Sequence, residues 1–131
     1  MVKEINPFLM FASGAEAAMN FYISLFPGAR IESISRYDAE GPGPEGSVKQ
    51  ATLLLLERRF EFFDSPVRHG FGFTPAISFA VACDGAEEVD RLFAALSDGG
   101  QVLMGLDAYP FARRFGWVND RYGVSWQMRF V

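Results

Sequence analysis

Two side chains stand out for their chemistry, because each is the only one of its type in the sequence: His69 and Cys83. A reactive thiolate usually needs a neighbouring imidazole or another cation, and a zinc site needs three or four thiolate, imidazole or carboxylate ligands. The counts therefore exclude zinc clusters built from four thiolates or from two thiolates and two imidazoles, and one cysteine excludes a disulfide within the chain. We expect Cys83 to be a reduced, buried side chain that packs as a small hydrophobe.

The composition limits the class of protein further. The chain has 131 residues, 50% of them hydrophobic, and contains 14 phenylalanines. This length and apolar content predict one folded domain rather than a disordered chain. The formal net charge of −4 argues against nucleic acid and against an anionic membrane as partners. The apolar runs are far shorter than the roughly 20 residues that span a bilayer, and the N-terminus is unlike a signal peptide, so a cytoplasmic location is expected.

A glycine-rich segment, residues 41–46 (GPGPEG), is the one stretch that suggests a phosphate-binding loop. Its two prolines remove backbone N–H donors, and no helical pattern follows it, so it does not fit a phosphate cradle. We expect an ordered surface loop between two strands; a lid over a binding site is the alternative.

An internal repeat organises the chain at an offset of 71 residues (79 minus 8), aligning residues 8–28 with residues 79–99. The segments Ser13-Gly14-Ala15-Glu16 and Asp84-Gly85-Ala86-Glu87 both fit a capping box, in which an N-cap oxygen and an N3 carboxylate satisfy free amides. Apolar residues at helical spacing follow each segment. Pro27-Gly28 and Gly99-Gly100 end the two predicted helices.

Each predicted helix is preceded by one apolar strand and followed by three extended segments. The leading strands are residues 7–12 and 76–83; the following segments are 29–37, 48–56 and 59–64, then 101–104, 113–118 and 124–131. Glu57-Arg58 predicts a tight hairpin turn, whereas residues 107–110 with Arg113-Arg114 predict a loop that could hold an acidic ligand. The sum is one α+β domain, residues 1–131, with two βαβββ modules at about 5–64 and 75–131.

Several stretches together resemble the vicinal oxygen chelate superfamily, which includes glyoxalase I, bleomycin-resistance proteins and extradiol dioxygenases. Within it, the chain is similar to the PhnB-like branch, also called 3-demethylubiquinone methyltransferase-like. The stretches are PFLMF (7–11), AAMNFY (17–22), LFPG (25–28), GPGPEGS (41–47), AISF (76–79), EEVD (87–90), FGWVND (115–120) and YGVSWQ (122–127). The resemblance implies a cupped mixed sheet with helices on its outer face, and a homodimer, which would also cover exposed strand edges.

The resemblance also implies where a metal would bind, because relatives with known chemistry take ligands from the first and last strand of each module. The last strands here offer Glu61 and Gln127, and the first strands offer no imidazole. Strand alternation places Glu61 opposite Phe60 and Phe62, and Gln127 opposite Trp126 and Met128, so both could face the cup. One carboxylate and one amide do not make a transition-metal site. We therefore expect no metal and no other cofactor.

Glu61 remains the candidate catalytic residue, as a general base or a ligand-binding group; a rim or dimer-facing carboxylate paired with an arginine such as Arg129 is the alternative. Five phenylalanines are hard to place in one small core: Phe60, Phe62, Phe63, Phe71 and Phe73. Some could line a cavity for a planar or apolar molecule or simply fill the cup. The candidate ligand-binding residues are Phe8, Phe63, Ser78, Tyr109, Trp117 and Gln127.

Three functions remain open at this point. The first is a metal-free protein that binds a small apolar or aromatic molecule, in the manner of a glyoxalase/bleomycin-resistance-like protein. The second is a metal-dependent lyase, isomerase or dioxygenase of the same superfamily. The third is the methyltransferase of the branch label, which we disfavour because the chain has no glycine-rich strand–helix turn for adenosylmethionine.

Overall fold

The computed structural model describes residues 1–131 as two compact units, residues 1–72 and 73–131. Each unit contains one strand, one helix and three further strands, which confirms the predicted α+β class and the two βαβββ modules. Unit 1 comprises β1 (Phe8–Phe11), α1 (Ala15–Leu25), β2 (Arg30–Arg36), β3 (Val48–Leu55) and β4 (Arg58–Asp64). Unit 2 comprises β5 (Phe79–Ala82), α2 (Ala86–Ser97), β6 (Gln101–Tyr109), β7 (Ala112–Asn119) and β8 (Ser125–Phe130). Neither α1 nor α2 has the length and hydrophobicity of a membrane-spanning helix.

The two units share one sheet topology. The strand order is β1-β4-β3-β2 in unit 1 and β5-β8-β7-β6 in unit 2. The first strand of each unit runs parallel to the last, while the other neighbouring pairs are antiparallel. Each sheet is therefore mixed. The first strand of each unit lies at one edge of the sheet, and the last strand of the unit lies next to it.

One face of each sheet is covered by the helix of its own unit. In unit 1, α1 buries five residues against the sheet (Ala15, Ala18, Met19, Tyr22 and Leu25), and the Tyr22 ring contacts Phe62 of β4. In unit 2, α2 buries Val89, Leu92 and Leu96. We call the opposite face of each sheet, turned away from its helix, the far face. It carries the strand residues that alternate with the strand residues packed against the helix.

The capping boxes expected at both helix starts are wrong. Helix α1 has Gly14 as its N-cap, and α2 has Gly85, with no side-chain cap hydrogen bond in either case. A residue from the end of β4 replaces the expected Ser13: the Asp64 carboxylate accepts hydrogen bonds from the Ala15 amide (3.0 Å) and from the Val48 amide (2.9 Å). A buried carboxylate can satisfy these amides from a distant strand as well as a local side chain can.

Two predicted connections also differ from the structure. The β3–β4 turn is Leu56-Glu57 rather than Glu57-Arg58, and both turn residues have positive φ (49° and 66°), as a two-residue turn that matches strand twist requires. The segment expected as a loop, residues 107–110, instead extends β6 to Tyr109, and Arg113 and Arg114 belong to β7. The backbone of this region therefore pairs in a hairpin closed at Pro110-Phe111.

The glycine-rich segment is an ordered loop between β2 and β3 that closes around Tyr37. The Tyr37 amide donates to the Ser47 carbonyl (2.9 Å), and the Gly46 amide donates to the Tyr37 carbonyl (2.9 Å). The buried Tyr37 hydroxyl donates to the Asp64 carbonyl (3.0 Å). A Cβ on Gly43 would lie 2.6 Å from the Tyr37 ring, so only glycine fits there.

Candidate functional site

Glu61 lies on the far face of unit 1 and is held by two neutral side chains of β3. Its Oε1 atom accepts hydrogen bonds from the Thr52 hydroxyl (2.8 Å) and from the Gln50 side-chain amide (2.9 Å). Gln50 also donates to the Thr52 hydroxyl at 3.2 Å. Thr52 is buried, and Gln50 and Glu61 are half-buried. The carboxylate therefore has a fixed orientation, with Oε1 committed to the protein.

An aromatic pair borders Glu61 on the side away from β3. Phe8 of β1 is the register partner of Glu61, and its ring contacts Phe63, two residues further along β4 (centroids 5.3 Å apart). Phe8 is 62% exposed, which is unusual for a phenylalanine in a strand. Glu61 thus lies between a polar wall from β3 and an apolar wall from β1 and β4.

The arginines on the same face are engaged by other carboxylates. Arg59, two residues before Glu61, pairs with Glu32 (3.1 Å) and Glu4 (3.4 Å), and these interactions, led by the Glu32 hydrogen bond, raise its pKa above the usual value. Arg30 lies 4.0 Å from Glu57. The two hydrogen bonds that Glu61 accepts come from neutral groups, so these ion pairs do not compensate its charge.

The far face of unit 2 holds the remaining polar candidates. The Gln127 amide donates to the Ser78 hydroxyl (3.0 Å), immediately before β5. Trp117 is the register partner of Gln127, and its indole N–H donates to the Ser125 hydroxyl (2.8 Å). The Trp117 ring is therefore held in one orientation beside an amide whose carbonyl oxygen remains free to accept a hydrogen bond.

Tyr109 lies at the hairpin end of the same sheet, in an aromatic cluster. Its ring stacks on Phe111 (5.5 Å) and meets Phe115 edge-on (5.5 Å), and its hydroxyl donates to the Gly105 carbonyl (2.8 Å). Arg113 and Arg114, expected as a basic anchor, are engaged elsewhere: Arg113 donates to the Val131 carbonyl and Arg114 pairs with Asp90.

The two unique residues lie outside these arrangements. His69 is exposed, with its Nε2 atom 3.3 Å from the Ser65 hydroxyl. Cys83 follows β5 and is half-buried. Burial, and then the nearby Glu88 carboxylate, raise the pKa of the Cys83 thiol, which favours the unreactive thiol over the thiolate.

The donor set does not fit a transition-metal centre. No three or more histidine, cysteine, aspartate or glutamate side chains are grouped so as to hold a metal ion. On the first and last strands, unit 1 offers the single carboxylate of Glu61, and unit 2 offers the amide of Gln127 with the Ser78 hydroxyl before β5. Zinc, iron and copper sites normally draw on imidazole or thiolate, so no step of chemistry is assigned to a metal here.

The loop of residues 41–46 does not fit adenosylmethionine either. It wraps around Tyr37, and the element that follows it is strand β3, beginning at Val48, rather than a helix. Nucleotide-type cofactors are typically held at a glycine-rich turn that opens a helix. The one glycine-rich segment of this chain therefore supplies no such turn.

The residues that orient Glu61 and Trp117 were not among the residues predicted from the sequence. Gln50 and Thr52 could have been predicted, because they are neutral polar residues at alternate positions of a mostly apolar strand. Ser125 alternates with Gln127 in the same way. Phe60 and Phe62, expected to be hard to place in one core, are core residues that are 8% and 1% exposed.

The comparisons with known proteins agree over nearly the whole chain. The family model described as 3-demethylubiquinone-9 3-methyltransferase matches residues 3–129. The structure of the PhnB protein from Bacillus cereus is similar at 52% identity and a TM-score of 0.95, covering 98% of this chain and 100% of that one. Protein PA1353 from Pseudomonas aeruginosa matches at 27% identity and a TM-score of 0.84, covering 98% of both chains. No curated protein matches significantly.

A more distant structural neighbour has assigned chemistry. The fosfomycin resistance protein FosX from Listeria monocytogenes, in a complex with Mn(II), has a TM-score of 0.66 at 11% identity and covers 98% of this chain and 93% of that one. At this identity the likeness concerns the fold alone. Together these neighbours confirm the vicinal oxygen chelate fold and the PhnB-like branch.

Proposed function

From the premise that the chain belongs to the 3-demethylubiquinone-9 3-methyltransferase family, with the vicinal oxygen chelate fold, we propose that it binds a small molecule with an aromatic or apolar body. The site is the far face of unit 1 at Glu61, Phe8 and Phe63. The family and fold support a glyoxalase/bleomycin-resistance-like protein, but one fold hosts many chemistries, so the function has to be argued from the site.

The observation that carries the proposal is the setting of Glu61. Its orientation is fixed by Thr52 and Gln50 through Oε1, and the largely exposed ring of Phe8 lies beside it. Binding sites typically combine apolar walls with a few polar groups held in place by neighbours. Glu61 would orient the ligand, or act as a general base toward it, while Phe8 and Phe63 would contact its apolar part.

The far face of unit 2 is the second part of the proposal. Trp117, held by Ser125, and Tyr109 would offer aromatic surface, and the Gln127 carbonyl would accept a hydrogen bond beside Ser78. Unlike the Glu61 site, this set of side chains contains no charged group. We therefore propose that the far face of unit 2 by itself binds a neutral, planar group.

We propose that binding needs no metal, because the donor set around Glu61 and Gln127 contains no imidazole or thiolate. Metal analysis of untagged protein tests this point. We expect metal content near zero and no change in melting temperature on adding Fe(II), Mn(II) or Ni(II); a bound metal near one per chain would contradict it.

The binding proposal is tested by NMR titration with small aromatic compounds of different charge and size. We expect chemical-shift changes at Phe8, Gln50, Thr52 and Phe63, and a loss of affinity in Phe8→Ala. Phe71→Ala is the matched control, since Phe71 is also a largely exposed phenylalanine (68%) of unit 1 outside the proposed site. Equal affinity in both variants would contradict the site.

We also propose a homodimer in a cytoplasmic location. The outer strands of each sheet leave edges that a second chain could cover, and a single unpaired cysteine suits a reducing compartment. Sedimentation equilibrium tests the first point, with a monomer mass at micromolar concentration as the contrary result. Cell fractionation tests the second.

A further inference from the structure

The charge balance around Glu61 bears on the chemical class of the ligand. We infer that the ligand presents a protonated nitrogen, an ammonium or amidinium group, to the Oε2 atom of Glu61. This inference rests on the proposed function and specifies the ligand of that same site.

The two carboxylate oxygens of Glu61 differ in the hydrogen bonds that they accept. Oε1 accepts both hydrogen bonds that Glu61 receives, from Thr52 at 2.8 Å and from Gln50 at 2.9 Å. Oε2 accepts none from the chain, and it is not among the buried polar atoms without a partner. Because a carboxylate has lone pairs for about four hydrogen bonds, Oε2 is the atom left for a ligand.

The charged groups around Glu61 favour a cationic ligand. The cations on this face are paired, Arg59 with Glu32 and Glu4, and Arg30 more loosely with Glu57. Glu61 has only neutral donors, so its charge is uncompensated within unit 1. A half-buried charge is screened less than an exposed one. A cationic group at Oε2 is therefore attracted, and an anionic ligand group has no unpaired arginine here to meet it.

An aromatic ring lies beside the Glu61 carboxylate. Phe8 is the register partner of Glu61 and is 62% exposed, and Phe63 supports its ring at 5.3 Å. An exposed aromatic face next to a carboxylate attracts a cation electrostatically and also packs against an apolar body. Carboxylate and rings together fit an arylalkyl amine or an aryl amidine.

The experiment compares three probes of similar shape: benzylamine, benzyl alcohol and phenylacetate. Affinities are measured by NMR titration against the full-length protein, Glu61→Gln and Glu45→Gln. Glu61→Gln keeps an oxygen for Thr52 and Gln50 while removing the charge. Glu45→Gln removes one charge from the exposed 41–46 loop and is the charge-matched control.

We expect benzylamine to bind the unaltered protein about tenfold or more tighter than benzyl alcohol, because hydrogen bonds to charged groups are stronger than neutral ones. Glu61→Gln should abolish this preference, so that benzylamine and benzyl alcohol bind that variant with affinities within about twofold of each other. Glu45→Gln should keep the preference. Should Glu61→Gln fail to fold, the salt dependence of the unaltered protein decides: benzylamine binding should weaken between low and high ionic strength, while benzyl alcohol binding should not.

The outcomes separate this inference from the proposed function. Equal affinity for amine and alcohol, with shifts at Phe8 and Thr52, would overturn the cation preference and leave the binding site in place. Tightest binding of phenylacetate would also overturn the cation preference. Absence of binding by any of the three probes, together with no effect of Phe8→Ala on larger aromatic compounds, would overturn both.

Discussion

The two units have the same connectivity, yet they differ most at the positions that their shared topology makes equivalent. Glu61 of β4 corresponds to Gln127 of β8, because each lies on the far face of a last strand beside a parallel first strand. The residue opposite Glu61 is Phe8, whereas the residue opposite Gln127 is Ala80. The two units therefore share their backbone pairing and differ in chemistry: one carries a charge beside a ring, and the other a neutral amide beside a small side chain.

The same comparison shows where the sequence repeat misleads. The offset of 71 aligns Phe8 with Phe79, but the structure places them on opposite faces: Phe8 lies on the far face beside Glu61, while Phe79 contacts the buried Trp126 on the helix face. The helices keep the offset, as Ala15 and Ala86 both begin one. A slip of one residue in a strand reverses every side chain, so the repeat has preserved the helices and not the strand faces.

The largest expected effect concerns the start of α1, where the Asp64 carboxylate accepts a hydrogen bond from the Ala15 amide. Asp64→Ala should destabilise the protein by about 2–4 kcal/mol, because two buried amides, those of Ala15 and Val48, would lose their acceptor. Ser13→Ala, at the position where a cap was expected, should change stability by less than about 0.5 kcal/mol. Chemical denaturation of both variants checks this; a larger loss from Ser13→Ala would restore the local capping box.

The next largest effect concerns how closely each helix packs on the strand that neighbours the last strand, β3 in unit 1 and β7 in unit 2. Ala51 of β3 and Gly116 of β7 are equivalent, but a Cβ on Gly116 would lie 2.4 Å from the Phe93 ring of α2. Gly116→Ala should therefore cost about 1–2 kcal/mol through overpacking. Gly105→Ala is the matched control, because its Cβ would meet nothing within 4 Å. Thermal unfolding of both, and of Gly116→Ala combined with Phe93→Leu, measures the clash; additive losses in the double variant would contradict it.

A smaller effect distinguishes the last hairpins. The β3–β4 turn places Leu56 and Glu57 at positive φ, whereas the β7–β8 loop uses glycine at its positive-φ position, Gly123. Replacing Leu56-Glu57 with Asn-Gly should stabilise unit 1 by about 0.5–1 kcal/mol, because these residues adopt the left-handed region with less strain. Denaturation midpoints check the gain, and a loss would show that the Leu56 or Glu57 side chain contributes more than its backbone strain costs.

The smallest effect concerns the acidic first turn of α2, which carries Glu87 and Glu88 where α1 carries Glu16 alone. Glu88 raises the pKa of the Cys83 thiol, so Glu88→Gln should lower that pKa and increase the thiolate fraction at fixed pH. Alkylation by iodoacetamide at pH 7.5 should become about two- to threefold faster, consistent with a partly screened charge. Glu87→Gln serves as the comparison. A slower reaction of Glu88→Gln would contradict the expected fall in the pKa of the Cys83 thiol.

Much of the fold was predictable because its signals are local and periodic. Apolar spacing predicted both helices, and alternation predicted that Glu61 opposes Phe60 and Phe62. What failed depended on distant or unusual partners. No local pattern links Asp64 to Ala15, 49 positions earlier, and Leu56-Glu57 lacks the residue types that announce a positive-φ turn. The donors to Glu61 were visible as polar residues within β3, but only the register of β3 against β4 shows that they meet it.

The closure of the β2–β3 loop on Tyr37 has a consequence for how unit 1 opens. Tyr37 holds the loop through its backbone and reaches the Asp64 carbonyl through its hydroxyl, while the Asp64 side chain holds the start of α1 and of β3. If any one of these segments is released, the other segments lose hydrogen-bond partners that Tyr37 or Asp64 supplies. The loop, the helix start and the end of β4 should therefore lose their amide protection together in hydrogen exchange, as one cooperative unit, rather than fraying from the loop inward.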